Sequence, residues 1–237
     1  MLVVLAIISV LAALLLPALA RAKGSAARTR CLGNVKQLNL AINLYTLDND
    51  GSFPATTTAT WNAAEPNHFA IFYKRFVRQY LVSPMVDPRQ DRVFHCPADT
   101  FYHDFPNMDV RSEPFYAQSF TEFSSYGFNG SAENMPAPPR FLNEDSFGGL
   151  SGLKLSAVAN PAKTFQVGDF ALLAPWSWHK PVRVPAGQVG VPDAPNNFGF
   201  VDGHASYLKV YWNTNYPRLT ACCYEPPPSY GYKWHAE

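Results

Sequence analysis

The chain has 237 residues, with 19 Lys+Arg against 18 Asp+Glu and a formal net charge of +1. That length suits one domain and can bury a core. The near-neutral balance supplies no concentrated positive field, so a nucleic-acid partner is not expected. Proline at 21 residues and aromatics at 14% point to a loop-rich α+β or β body whose rings supply much of the buried area.

Residues 1–20 contain no charged side chain, and only Ser9 and Pro17 interrupt their apolar character. Arg21, Lys23, Arg28 and Arg30 then follow closely. About 20 apolar residues suffice for a helix to cross a hydrocarbon core of about 30 Å. Leu2, Leu5, Ile8, Leu11, Leu15 and Pro17 are the candidate membrane and assembly residues. Three readings compete. One is a cleaved secretory signal, with Ala18-Leu19-Ala20 as its cleavage site, although nothing basic precedes the apolar run as a signal requires. The second is a plain signal anchor. The third is the first half of one long helix that turns amphipathic further on.

The residues after Arg30 favour the third reading. Cys31, Val35, Leu38, Ile42 and Tyr45 recur at helical spacing, with Leu40, Leu44 and Leu47 widening the stripe. Asn34, Lys36, Gln37, Asn39 and Asn43 are read as the opposite, polar face. Pro17, Gly24 and Ser25 weaken the helix without ending it. The stop is Asp48-Asn49-Asp50-Gly51, then Phe53-Pro54, with Gly51 expected at positive φ. A helix over 2–47 would be roughly 70 Å long.

A second helix is expected over 67–81, capped by Asn67 and ended by Ser83-Pro84. Its apolar stripe is Phe69, Phe72, Tyr73, Phe76, Val77 and Tyr80, with Lys74, Arg75, Arg78 and Gln79 outside. Residues 93–96, 125–129 and 164–167 read as strands. Residues 97–124, 131–152 and 175–195 read as long loops rich in proline, glycine and polar residues. Asp202-Gly203, between alternating runs, reads as a two-residue type I′ hairpin. Its register would pair Val201 with His204, Phe200 with Ala205 and Phe198 with Tyr207. Phe198, Phe200, Ala205 and Tyr207 would then share one face, and His204 the other. The Pro- and Tyr-rich tail after Pro217 reads as extended or poorly ordered.

At this point a family resemblance enters. LVVLAIISVLAALLLPALARAK resembles the N-terminal methylation motif of type IV pilins and type II secretion pseudopilins. CLGNVKQLNLAINLYTLDNDGSFP, VFHCPAD, SYGFNG, NPAKTFQVGD and NFGFVDGHASYLK resemble the large bacterial pilin-like group with a C-terminal H-X9-DG domain. The resemblance implies an α+β fold in which a long N-terminal helix packs its second half on an antiparallel sheet, with loop insertions. Residues 1–28 would form a membrane and filament-core helix, and 29–237 a pilin-like globular domain. The implied function is structural, a pilus or secretion-pseudopilus subunit with no catalysis and no cofactor. It implies single-pass anchoring in a bacterial inner membrane, with the body in the periplasm or in an extracellular filament. Its partners would be the lipid bilayer, sibling pilins, a prepilin peptidase, a platform protein and an assembly ATPase. Members begin with a basic leader, a glycine cleavage site and a glutamate; Met1 here aligns just after that glutamate, so these are expected upstream. Pro192 stands where the H-X9-DG histidine would be.

Candidate chemistry is sparse. Of the four cysteines, Cys31 and Cys96 would pin the helix to the body if bonded; two buried free thiols are the alternative. Cys222 and Cys223 are adjacent and no Cys-x-x-Cys exists, which argues against a zinc ribbon. Asp48-Asn49-Asp50-Gly51 is half a calcium loop lacking its other ligands. Some pseudopilins bind calcium near their C-terminus, which leaves Asp169 and Asp202 as weak calcium candidates. Asp169, Asp202 and His204 come with no nucleophile elbow, and an Asp-Gly hairpin needs Asp202 and Gly203 for geometry alone. Trp176-Ser177-Trp178 supports an alternative, a membrane-anchored carbohydrate-binding module, although core packing of both indoles is the plainer reading.

Overall fold

A computed structural model describes residues 2–55, 71–82, 87–104, 109–130, 149–173, 176–181, 191–212 and 225–236. One helix, α1 (Leu2–Asp48), runs unbroken through Pro17 and Gly24 for 47 residues. At about 1.5 Å per residue it is roughly 70 Å long. Its end is made by backbone that only short polar or Cβ-free residues adopt easily: Asp50 and Gly51 have φ of 52° and 76°. The Gly51 amide returns to the Thr46 carbonyl at 2.8 Å.

Burial on α1 starts abruptly. No residue before Cys31 is buried, whereas Cys31, Asn34, Val35, Leu38, Asn39, Ala41, Ile42 and Thr46 form one inner face. This corrects the expected stripe in two ways. Leu40, Leu44 and Leu47 are exposed, on the outer side. Asn34 and Asn39 are buried, because the surface they meet is rich in backbone carbonyls rather than apolar side chains.

Strands β1 (Tyr102–Asp104) and β2 (Asp109–Arg111) form a small antiparallel ribbon inside the stretch expected to be loop. The main sheet has β3 (Tyr126–Phe128), β4 (Phe165–Asp169), β5 (Pro195–Phe200) and β6 (Ala205–Lys209), adjacent in that order and antiparallel throughout. The molecule is therefore α+β, a long helix on an antiparallel sheet. Gly199 of β5 meets α1: a Cβ there would sit 3.0 Å from Asn39 and Val35. Phe198 and Phe200 consequently point away from α1. That far face is covered by the C-terminal segment, where Tyr232 lies 4.6 Å from Phe198 and Trp234 lies 5.0 Å from Phe165, centroid to centroid. Residues 225–236 are thus docked, not a poorly ordered tail, and the Phe165 amide donates to the Lys233 carbonyl at 2.9 Å.

The hairpin register differs by one residue from the expected one. Phe198 pairs with Ser206 and Gly199 with Ala205. The Phe200 amide meets the His204 carbonyl at 2.9 Å, so the loop holds three residues, 201–203. Gly203 takes φ 98°, the glycine position of a three-residue hairpin. A one-residue shift exchanges faces. His204 therefore stacks on Phe200 at 4.2 Å, and Tyr207 turns toward α1, where Arg28 covers its ring at 5.0 Å.

The expected strand at 93–96 is instead a 3-10 turn, Arg92–Phe94, closed by the Phe94 amide on the Asp91 carbonyl. The second helix, α2 (Tyr73–Val77), continues as a 3-10 turn, Arg78–Tyr80. Its cap at Asn67 lies outside the described residues. Phe72, Tyr73 and Val77 are buried as the stripe requires, but so is Lys74. Its Nζ donates to the carbonyl of Glu122 at 2.6 Å and lies 3.6 Å from Asp91. Burial pulls its pKa down to about 8.

Candidate functional site: the helix and its anchorage

The projecting half of α1 is apolar on every side. It is long and apolar enough to cross a membrane, and none of its apolar window is buried by the rest of the chain. Leu2, Leu5, Ile8, Leu11 and Leu15 are all exposed. Pro17 is exposed on the same half. The Ser9 hydroxyl donates to the Ala6 carbonyl at 2.8 Å, which satisfies its proton within the helix. Arg21, Lys23, Arg28 and Arg30 mark where this half ends.

Amides clasp the other half to the sheet. Asn39 Nδ2 donates to the carbonyls of Phe200, at 2.7 Å, and His204, at 3.2 Å, gripping both strands at the mouth of the hairpin. Gln166 Nε2 donates to Asn39 Oδ1 at 2.9 Å and to Asn43 Oδ1 at 3.1 Å. Asn43 Nδ2 reaches the Val201 carbonyl at 3.3 Å. One helical turn nearer the tip, Asn34 Nδ2 donates to the His95 carbonyl at 2.9 Å and to the Tyr126 hydroxyl at 3.1 Å. Burial pushes the Tyr126 phenol well up, so it stays a neutral partner. Sequence reasoning missed Asn34, Asn39 and Gln166. A signal was present, since asparagine is a poor choice inside a helix and it recurs here at 34, 39 and 43.

At the first buried turn, Cys31 and Cys96 form a disulfide with Cα atoms 5.2 Å apart. It joins α1 to the segment between the Arg92–Phe94 turn and β1. Beside it lies an enclosed polar cluster. Asp169 Oδ2 accepts from the Asn197 amide at 2.8 Å and from Asn197 Nδ2 at 3.0 Å. His179 Nε2 lies 2.9 Å from Asn197 Nδ2, 3.3 Å from Asp169 Oδ2 and 3.6 Å from Cys96 Sγ. The Asp169 and His179 side chains are wholly buried. Sequence reasoning did not single out His179.

The other candidates do not converge. Asp202 sits in the exposed hairpin loop, bound to His204 at 2.6 Å, while Asp169 pairs with Asn197. They do not form a shared calcium site. Asp48 Oδ2 accepts from the Tyr80 hydroxyl and Asn49 bonds back to Tyr45, so that corner is an ordinary helix end. Trp176 and Trp178 are 1% and 4% exposed and pack edge to face, which leaves no ring face for a sugar. Cys222 and Cys223 lie outside the described residues.

In comparisons with known proteins, no family model, no curated protein and no solved structure matches the chain.

Proposed function

We propose that this protein is a filament subunit of the type IV pilus or secretion-pseudopilus kind, anchored in a bilayer through the projecting half of α1 before assembly. The observation that carries the reading is the continuity of α1 from an apolar, wholly uncovered half into a half fixed to the body by a disulfide and amides. An uncovered apolar rod about 30 Å long needs lipid or other rods around it. Exchange of lipid for neighbouring copies keeps that surface buried. Leu40, Leu44 and Leu47 extend the apolar line along the outer side of the packed half, where a neighbour would lie. Head-to-tail contacts of this kind propagate into an open helical array. On this reading the body lies outside the cytoplasm, where a disulfide persists, and the role is mechanical, with no catalysis.

The test uses the full chain in a bacterial host. Intact mass should show a mature N-terminus that retains residues 2–20. Photo-crosslinking from position 44 should give a ladder beyond dimers, because a head-to-tail contact links each copy to the next. Cleavage after Ala20, or crosslinks that stop at dimers, would defeat the reading. The carbohydrate-binding alternative loses its motivating observation with the burial of Trp176 and Trp178.

A further inference from the structure

The disulfide and its polar neighbours form a cluster that the filament reading does not use. Cys31 Sγ, Cys96 Sγ and His179 Nε2 all lie within 4.8 Å of one another. Asn197 Nδ2 lies 2.9 Å from His179 Nε2, so this nitrogen can accept the amide's hydrogen bond and offer the same lone pair to a cation. His179 Nδ1, Asp169 Oδ1 and Asn197 Oδ1 are buried without a partner among the described residues. A buried polar atom left without a partner is destabilising. A disulfide alone needs neither a buried imidazole nor a buried carboxylate beside it.

Three donors lie at spacings that suit a tetrahedral ion, and the Asp169 carboxylate lies beside the imidazole. Zinc bonds of about 2.3 Å to sulfur and 2.0 Å to nitrogen place S and N about 3.5 Å apart. Cys96 Sγ to His179 Nε2 is 3.6 Å. Release of the sulfur–sulfur bond lets the two sulfurs separate to the roughly 3.8 Å that a tetrahedron requires. The donors come from α1, from the segment before β1 and from the segment after β4, so one ion would tie His179 to the elements that the disulfide joins.

We propose that reduction of the Cys31–Cys96 disulfide creates a site for a thiophilic divalent cation, Zn²⁺, held by Cys31 Sγ, Cys96 Sγ and His179 Nε2, with a water as the fourth ligand and the Asp169 carboxylate beside the imidazole. The step balances as thiol–disulfide exchange. A dithiol reductant gives two electrons and two protons, the sulfur–sulfur bond breaks, and the reductant leaves as its own disulfide. On binding Zn²⁺ the two thiols release their protons to solvent, and His179 Nε2 exchanges its hydrogen bond from Asn197 for the metal. The body then has two interchangeable fasteners at one place: a covalent bond under oxidising conditions and a metal bridge under reducing ones. This proposal stands independently of the filament reading.

The experiment uses the full chain in detergent with Cys222→Ser and Cys223→Ser, so that only one cysteine pair remains. A phosphine reductant, itself taken to the phosphine oxide with oxygen from water, is removed before metal is added. The reduced chain should bind one equivalent of Co²⁺ with the intense visible bands of a tetrahedral thiolate site. Zn²⁺ should displace it, and the oxidised chain should bind none. His179→Ala should weaken binding roughly tenfold or more, and Asp169→Asn should alter the cobalt spectrum. If reduction alone unfolds the body, added Zn²⁺ should refold it, as structural zinc does. The proposal fails if the folded reduced chain binds no metal, if His179→Ala binds as tightly as the parent, or if Zn²⁺ leaves a reduced, unfolded chain unfolded.

Discussion

The two halves of α1 share one backbone and differ in what surrounds them. Before Cys31 no residue of α1 is buried, and the helix meets the body there through Arg28, whose side chain covers the Tyr207 ring. After Cys31 it has a sharp inner face, and that face buries two amides, Asn34 and Asn39, among apolar side chains. The contrast shows that two different rules place apolar residues on one helix. In the first half composition matters and phase does not. In the second half phase decides burial, and hydrogen-bonding capacity outranks hydropathy, since Asn39 is buried while Leu40 is 59% exposed.

The sharpest way to break this comparison is to remove one half. A chain beginning at Ser25 should lose membrane and detergent association completely and sediment as a soluble body. Its melting temperature should stay within a few degrees of the parent, because the deleted residues bury nothing in the body. A large drop in melting temperature would mean that the tip folds back on the body. Next, Leu38→Ala should cost about 3 kcal/mol in urea unfolding, the usual range for a fully buried leucine. Leu11→Ala should change the same measurement by less than about 0.5 kcal/mol. Equal effects would erase the distinction between the halves.

Asn39→Ala tests the amide side. It strips the Phe200 and His204 carbonyls of a donor and leaves Gln166 short of an acceptor, so a loss of about 2 kcal/mol is expected. The same change at Asn49, whose side chain bonds back to the Tyr45 carbonyl at the exposed helix end, should cost well under half as much. A pH test concerns Lys74. Burial lowers its pKa to about 8 from 10.5, so between those values the unfolded chain holds more protons than the folded one. Stability should therefore rise as pH increases from about 8 toward 10.5, on top of other titrations. The rise should vanish in Lys74→Met and persist in the chain beginning at Ser25. Urea midpoints at the two ends of that window measure it.

Much of this architecture was legible because it rests on periodicity. The apolar run, the continuation into an amphipathic stretch and the stop at Gly51 come from spacing and from residues whose backbone preferences are strong. The strands around 126–128 and 165–169 were visible as short apolar runs between turn residues. What failed was whatever depends on partners distant in sequence. Val93 and Phe94 have strand-like composition, yet Asp91 closes a tight turn there. The Asp-Gly pair announces a hairpin but does not say whether two or three residues turn it, and that single residue decided where His204 and Tyr207 point. Lys74 looked like a solvated residue because nothing nearby in sequence predicts the carbonyls that receive it. The cluster of Asp169, His179 and Asn197 was hidden for the same reason, since its members become neighbours only when β4 and β5 pair.

The disulfide sits at the first buried turn of the helix. A pull on the exposed tip would otherwise act as a peeling force, opening contacts one at a time from the end where each is weakest. The sulfur bridge stands ahead of every buried residue of α1, so peeling of the inner face cannot begin. Tension must instead shear the whole inner face at once, with Leu38, Asn39 and Ile42 resisting together, and the part of the chain that gives way last is the one nearest the hand that pulls.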